Sequence, residues 1–298
     1  MGRQRDVEAT RRAERVPPQL MVVGAILSVQ IGAAIGRSLF DEIGAAGVTF
    51  LRVGISALVL AVVIRPDVRR WDRRAWTAAV ALGLTMACMN LVFYLSLRTV
   101  PLGVAVTVEF LGPLTLSLVQ TRRVIDLMWV VLAGGGVALL GLDSTSGIPL
   151  SGLLLAGLAG VFWAGYILGS ARLGRVLPGS GGLAVALSVA TLVVAPFGAG
   201  EATAVFDHPA LLVPAAAVAL LSSVIPYGLE LEALRTIPTR VFGVLMSLEP
   251  AAAATAGWII LGQDLGAREL VALALVSLAS AGVTLGRSDT APPVQPLE

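Results

Sequence analysis

The chain contains no lysine, one cysteine (Cys88) and one histidine (His208). A single cysteine excludes a disulfide framework, and a lone histidine removes the usual zinc ligand sets and Cys/His nucleophile pairs. Charge is scarce too, at 13% of residues, and aromatics make up 5%. The 21 basic residues, all arginine, are spread loop by loop, so they do not form a nucleic-acid face. What fills the chain is apolar: 56% hydrophobic residues, a mean hydropathy of +0.88, and apolar blocks of 17 to 24 residues. That composition specifies an all-α integral membrane protein.

The 298 residues accommodate ten spans, expected near 20–40, 47–64, 75–97, 101–119, 126–142, 150–170, 182–198, 210–230, 238–261 and 267–286. Two of the connections, 98–100 and 235–237, are almost without a loop, and a proline marks each as a turn. Basic residues are retained on the cytoplasmic side during insertion. With the N-terminus inside, seventeen arginines fall on that side, Arg98 and Arg268 lie outside, and Arg37 and Arg52 lie within spans. Adding or removing one span would send basic loops to the wrong face. Residues 1–19 read as a cytoplasmic Arg-rich tail and 287–298 as a disordered cytoplasmic tail. No short apolar core with a cleavage site marks a secretory signal.

One stretch occurs twice. LRTVPLGVAVTVEFLGP (97–113) and LRTIPTRVFGVLMSLEP (234–250) superpose on a shift of 137 residues, matching Pro101 to Pro238 and Pro113 to Pro250. Five spans per unit is odd, so the second unit crosses in the opposite sense, and residues 20–142 and 150–286 read as two inverted five-helix repeats. The carboxylates are not equivalent, because Glu109 aligns with Met246 and Glu249 with Gly112. Inverted repeats recur in secondary transporters with a midplane substrate site.

The duplicated LRT-x-P turns, GVTFLR at the second span, SVQIGAAIGRSLF, MNLVFYLSL and the two Glu-bearing segments resemble the drug/metabolite transporter superfamily, EamA-like group. Within it they are most similar to the bacterial threonine and homoserine exporter branch, over nearly all of residues 20–286. The resemblance implies a ten-helix inner-membrane carrier with both termini cytoplasmic, exporting small amino acids or related metabolites against a proton gradient. This branch often carries Lys at the position of Arg37, and an arginine does not readily lose its proton.

Polar residues inside spans are the candidates for a site. An ionisable residue at mid-span costs roughly 2.5 to 3.5 kcal/mol to insert, so it requires a partner or a wet cavity. Glu109 and Glu249 lie deep in the fourth and ninth spans, read either as exchanging a proton for a cationic amine or as neutral carboxyls bonded to a neighbouring helix's backbone. Pro113 and Pro250 free backbone carbonyls one turn earlier as further acceptors. Glu230 shares a face with Ser223 and Tyr227. Gln30 lies with Ala34 and Arg37 on one face of the first span, Asn90 and Tyr94 one turn apart on the third, and Trp163 and Tyr166 with Ser170 on the sixth. Each is read either as cavity lining or as helix packing. Arg52 is left with three roles: reaching to the surface, pairing with a carboxylate, or receiving a substrate carboxylate. Glycines such as Gly165 and Gly169 form a helix-packing GxxxG.

An intramembrane enzyme would need a nucleophile and base or a metal pair, which these residues do not supply, and a channel would use charge rings from several subunits. No cofactor or metal is expected. The expected partners are a small-molecule substrate, protons and the lipid bilayer.

Overall fold

A computed structural model describes residues 17–121, 126–141, 147–177, 179–234, 237 and 239–286. These residues are helical, with no β-strand among them. The helices are α1 Pro18–Ser38, α2 Ala45–Ile64, α3 Arg73–Ser96, α4 Leu102–Glu109, α5 Leu111–Thr121 and α6 Asp126–Gly141. They continue as α7 Leu150–Val176, α8 Gly181–Ala202, α9 Leu212–Ala219, α10 Ile225–Leu234, α11 Thr239–Met246, α12 Glu249–Leu261 and α13 Ala267–Gly286. Prolines sit where helices begin: Pro18 opens α1, and Pro101 and Pro149 directly precede α4 and α7. A missing N–H is harmless at those positions. Asp72 caps α3, its carboxylate accepting from Ala75 N at 2.8 Å.

Among the described residues eight helical stretches are long and apolar enough to cross a membrane, and Leu102–Leu116 and Val131–Leu140 are shorter apolar helices. Their outward faces carry exposed Leu58, Leu192, Val213 and Ile259. In water such a surface would be a liability; in lipid it is the solvated face. The expected 98–100 turn is present, closed by Val100 N donating to Ser96 O at 3.0 Å. Of the expected 235–237 turn only Ile237 lies within the described residues.

Three expected spans carry a local irregularity in the helix. The fourth divides at Phe110 and the ninth at Ser247–Leu248, positions that coincide under the 137-residue shift. Each break precedes a proline by two or three residues: Pro113 removes a partner from the Glu109 carbonyl and Pro250 one from Met246. The eighth contains a π-helical turn, Leu220–Val224, between α9 and α10.

Packing pairs α3 with α7 and α8, α2 with α8 and α9, α1 with α10 and α12, α4 with α7 and α12, and α6 with α13. Close approach depends on absent side chains. A Cβ on Gly112 would collide with the Gly160 carbonyl, so α5 and α7 touch backbone to backbone. At the expected GxxxG the approach is to side chains: Gly165 lies against Thr85 and Gly169 against Leu82, joining α7 to α3.

Candidate functional site

The two breaks deliver the two deep carboxylates. Glu109 is the last residue of α4 and Glu249 the first of α12. Those helices pack directly, a Cβ on Gly103 falling 2.8 Å from Ala254 Cα. Both carboxylates are buried, at 8% and 6% exposure. Glu249 lies in the electrostatic field of Glu109 and Glu230, and Glu109 in that of Arg52. Glu230, on α10, is half-buried and interacts with Tyr166 and Tyr227, whose rings are 6.4 Å apart. Tyr166 is also within hydrogen-bonding reach of Ser170. Glu109, Glu230, Glu249, Arg52, Tyr166 and Tyr227 thus form one linked group contributed by α2, α4, α7, α10 and α12. Among the described residues no cluster of His, Cys, Asp and Glu has metal-binding geometry.

Trp163 is half-buried, its ring edge-on to Phe110 at 5.4 Å, so it packs against the break that follows Glu109. Gln30 is 2% exposed and its Oε1 has no partner. Asn90 is buried and donates from Nδ2 to Met86 O of its own helix at 2.8 Å. Tyr94 is fully buried against Phe40 and Phe93, with ring centroids at 5.9 and 6.0 Å, and its hydroxyl is unpartnered. Arg37 donates from Nε to Leu97 O at 2.7 Å and lies over the Phe40 ring at 5.0 Å. It lines a recess of about 280 Å³ with Asp41, Arg98 and Glu201.

Arg52 turns inward. Its Nη2 donates to Ser222 O at 3.0 Å and its guanidinium lies 5.3 Å from the Tyr94 ring centroid. The Ser222 carbonyl is available because Pro226, four residues on, has no N–H to offer it. Two neighbours secure the same π turn: Ser28 Oγ donates to Leu221 O at 2.7 Å, and Ser56 Oγ to Ala219 O at 3.2 Å. π turns recur at functional sites because they release backbone groups from the helical ladder.

The sequence reading singled out Ser223 and missed Ser222, whose Oγ is buried and unpartnered. The available signal was Pro226, which releases the carbonyl four residues earlier. Glu201 was missed as well. It lies in the chain 154 residues beyond its partner, accepting from Gly47 N at 2.7 Å in the first turn of α2, where a carboxylate complements the helix dipole. Gln263 had no sequence signal; its Oε1 accepts from Leu102 N at 2.9 Å and ties the end of α12 to the start of α4.

A multi-helix bundle with apolar outer faces and a buried, charge-bearing interior is the architecture of a membrane transporter. The EamA-like transporter family model matches residues 150–285. Threonine/homoserine exporter RhtA of Salmonella typhimurium is 41% identical over 280 residues, covering 93% of this chain and 94% of that protein. Its Escherichia coli K12 counterpart is 41% identical over 271 residues, covering 90% and 91%. An uncharacterized transporter, YwfM of Bacillus subtilis, is 26% identical over 76% of this chain and 79% of that one. A solved crystal structure shares the fold with a TM-score of 0.59 at 18% identity, covering 90% of this chain and 96% of that chain. The chain belongs to the EamA-like group of the drug/metabolite transporter superfamily, a family of transporters and not of enzymes. Within that superfamily it falls in the RhtA-like branch.

Proposed function

We propose that this protein exports threonine- or homoserine-like amino acids across the inner membrane, exchanging each for a proton by alternating access. The observation that carries the substrate class is the 41% identity to threonine/homoserine exporter RhtA across 93% of the chain. The buried Glu109 and Glu249, with half-buried Glu230, support cation exchange: a deprotonated carboxylate holds the substrate ammonium, and proton uptake from the far side releases it. Gln30, Asn90, Tyr94, Trp163, Tyr166, Tyr227 and Arg52 shape the chamber around those carboxylates.

The proposed scaffold is ten spans in two inverted five-helix units, 20–142 and 150–286, with both termini cytoplasmic. Helix contacts exchange under n to n+5. The third span meets the sixth as the eighth meets the first, and the fourth meets the sixth as the ninth meets the first. The recurrence of the helix break one repeat apart supports the same reading. Two such units rocking about a shared interior expose it to each side in turn.

The test is counterflow in proteoliposomes. Vesicles loaded with unlabelled homoserine should accumulate labelled homoserine or threonine faster than protein-free vesicles, and an inward-acidic gradient should accelerate uptake. Equal rates with and without protein would remove the amino-acid reading.

A further inference from the structure

The mechanism above uses acidic side chains for the ammonium end of an amino acid and assigns nothing to its carboxylate. Arg52, in that same linked group, and its neighbours have the complementary chemistry. Arg52 is 8% exposed, and among the described residues no carboxylate lies within ion-pair distance of it. Its Nη2 is occupied by Ser222 O, while its Nε–H is buried with no partner. The Tyr94 hydroxyl and the Ser222 hydroxyl are likewise buried and unpartnered. Two hydroxyls without acceptors, on α3 and the π turn, therefore belong to the two residues that contact a guanidinium on α2 whose own Nε–H is unfilled.

Each is held in place by a separate device. The carbonyl released by Pro226 anchors Arg52, and the Tyr94 ring lies against its guanidinium. Two glycines of α1, one turn apart, admit the other two donors. A Cβ on Gly36 would fall 2.9 Å from the Tyr94 hydroxyl, and one on Gly32 would strike Ser222 Oγ. Gly32 and Gly36 form a GxxxG that serves these polar groups, a role the general packing argument does not predict. A buried cation with unfilled donors is costly unless an anion completes it, and a guanidinium is the side chain best matched to a carboxylate.

We infer that Arg52, Tyr94 and Ser222 form a carboxylate-binding half-site, which receives the α-carboxylate of the substrate while Glu109 and Glu249 receive its ammonium. This rests on the amino-acid reading and deepens it. Glu109 is coupled electrostatically to both halves, to Arg52 and to Glu249. The site then requires both charges of a zwitterion, and a simple amine or a simple acid satisfies only half of it.

Thermal stabilisation of the full-length solubilised protein separates the halves, using homoserine, homoserinol in which the carboxylate is reduced to an alcohol, and N-acetylhomoserine in which the ammonium is blocked. Wild-type protein should be stabilised by homoserine at concentrations about tenfold below those needed for homoserinol, as expected when a bond to a charged group is lost. R52Q should erase that difference, responding to homoserine and homoserinol alike. Tyr94→Phe and Ser222→Ala each remove one donor while keeping the shape, so they remain informative if R52Q does not fold; each should narrow the homoserine–homoserinol gap severalfold. The gap persisting undiminished in these variants, or no gap in wild type, overturns the half-site. Homoserine counterflow in wild-type vesicles is measured in parallel: flux without carboxylate discrimination rejects the half-site alone, whereas absence of flux together with absence of stabilisation rejects the amino-acid reading as well.

Discussion

Glu249→Gln is expected to reduce proton-gradient-driven homoserine export about a hundredfold, to the level of protein-free vesicles. Glu249 is buried at the first position of α12, and the charged groups in its field are two further carboxylates, Glu230 and Glu109. An ammonium ion bound there loses a charge-assisted contact when the carboxylate becomes an amide, and truncating one partner of a buried charge pair costs roughly 2 to 5 kcal/mol. At 1.36 kcal/mol per decade the lower half of that range already accounts for about a hundredfold. Folding is not at risk, because a neutral amide is easier to bury in lipid than a carboxylate. The variant should elute and melt like wild type while failing to transport. Full export by a well-folded Glu249→Gln protein would remove this residue from the mechanism.

Glu109→Gln should lower export about tenfold, the size expected for one hydrogen bond to a charged group. Its effect is smaller because Glu109 shares its field with Arg52, so part of its charge is already engaged. Glu230→Gln provides the internal scale. Glu230 is half-buried on α10, and its substitution should cost only a few-fold. The order Glu249, Glu109, Glu230 is the prediction, read from initial rates under one gradient. A reversed order would mean that the proton and the ammonium are handled nearer α10 than the α4–α12 contact.

Much of this site was legible in the residues themselves. A carboxylate within an apolar run announces itself by cost alone, so Glu109, Glu230 and Glu249 stand out, and the repeated LRT-x-P turns locate two of them on related helices. Tyr166 and Tyr227 were identified separately, each as part of a polar helical face, and the structure brings their rings together across α7 and α10. Arg52 was legible as an anomaly but not as a role, since its partner is the Ser222 carbonyl, 170 residues away. A proline's released carbonyl can be counted from sequence; which side chain comes to meet it depends on how α2 and α9 pack. The helix breaks at Phe110 and Ser247–Leu248 were read as continuous spans for a related reason. The prolines signalled weakened ladders, but a weakened ladder does not by itself fix where a helix divides. Asn90 was legible as part of a polar face on α3, with cavity lining and packing both open, and its Nδ2 donates to Met86 O of its own helix.

The central claim is that substrate and proton occupy the same buried carboxylates in alternation. It is tested most directly by trapping a pH-sensitive dye inside homoserine-loaded proteoliposomes with no imposed gradient and following internal pH as homoserine leaves down its own gradient. The account predicts that the wild-type interior acidifies in step with homoserine efflux, and that Glu249→Gln shows neither signal. Homoserine efflux at the wild-type rate with internal pH unchanged would contradict it.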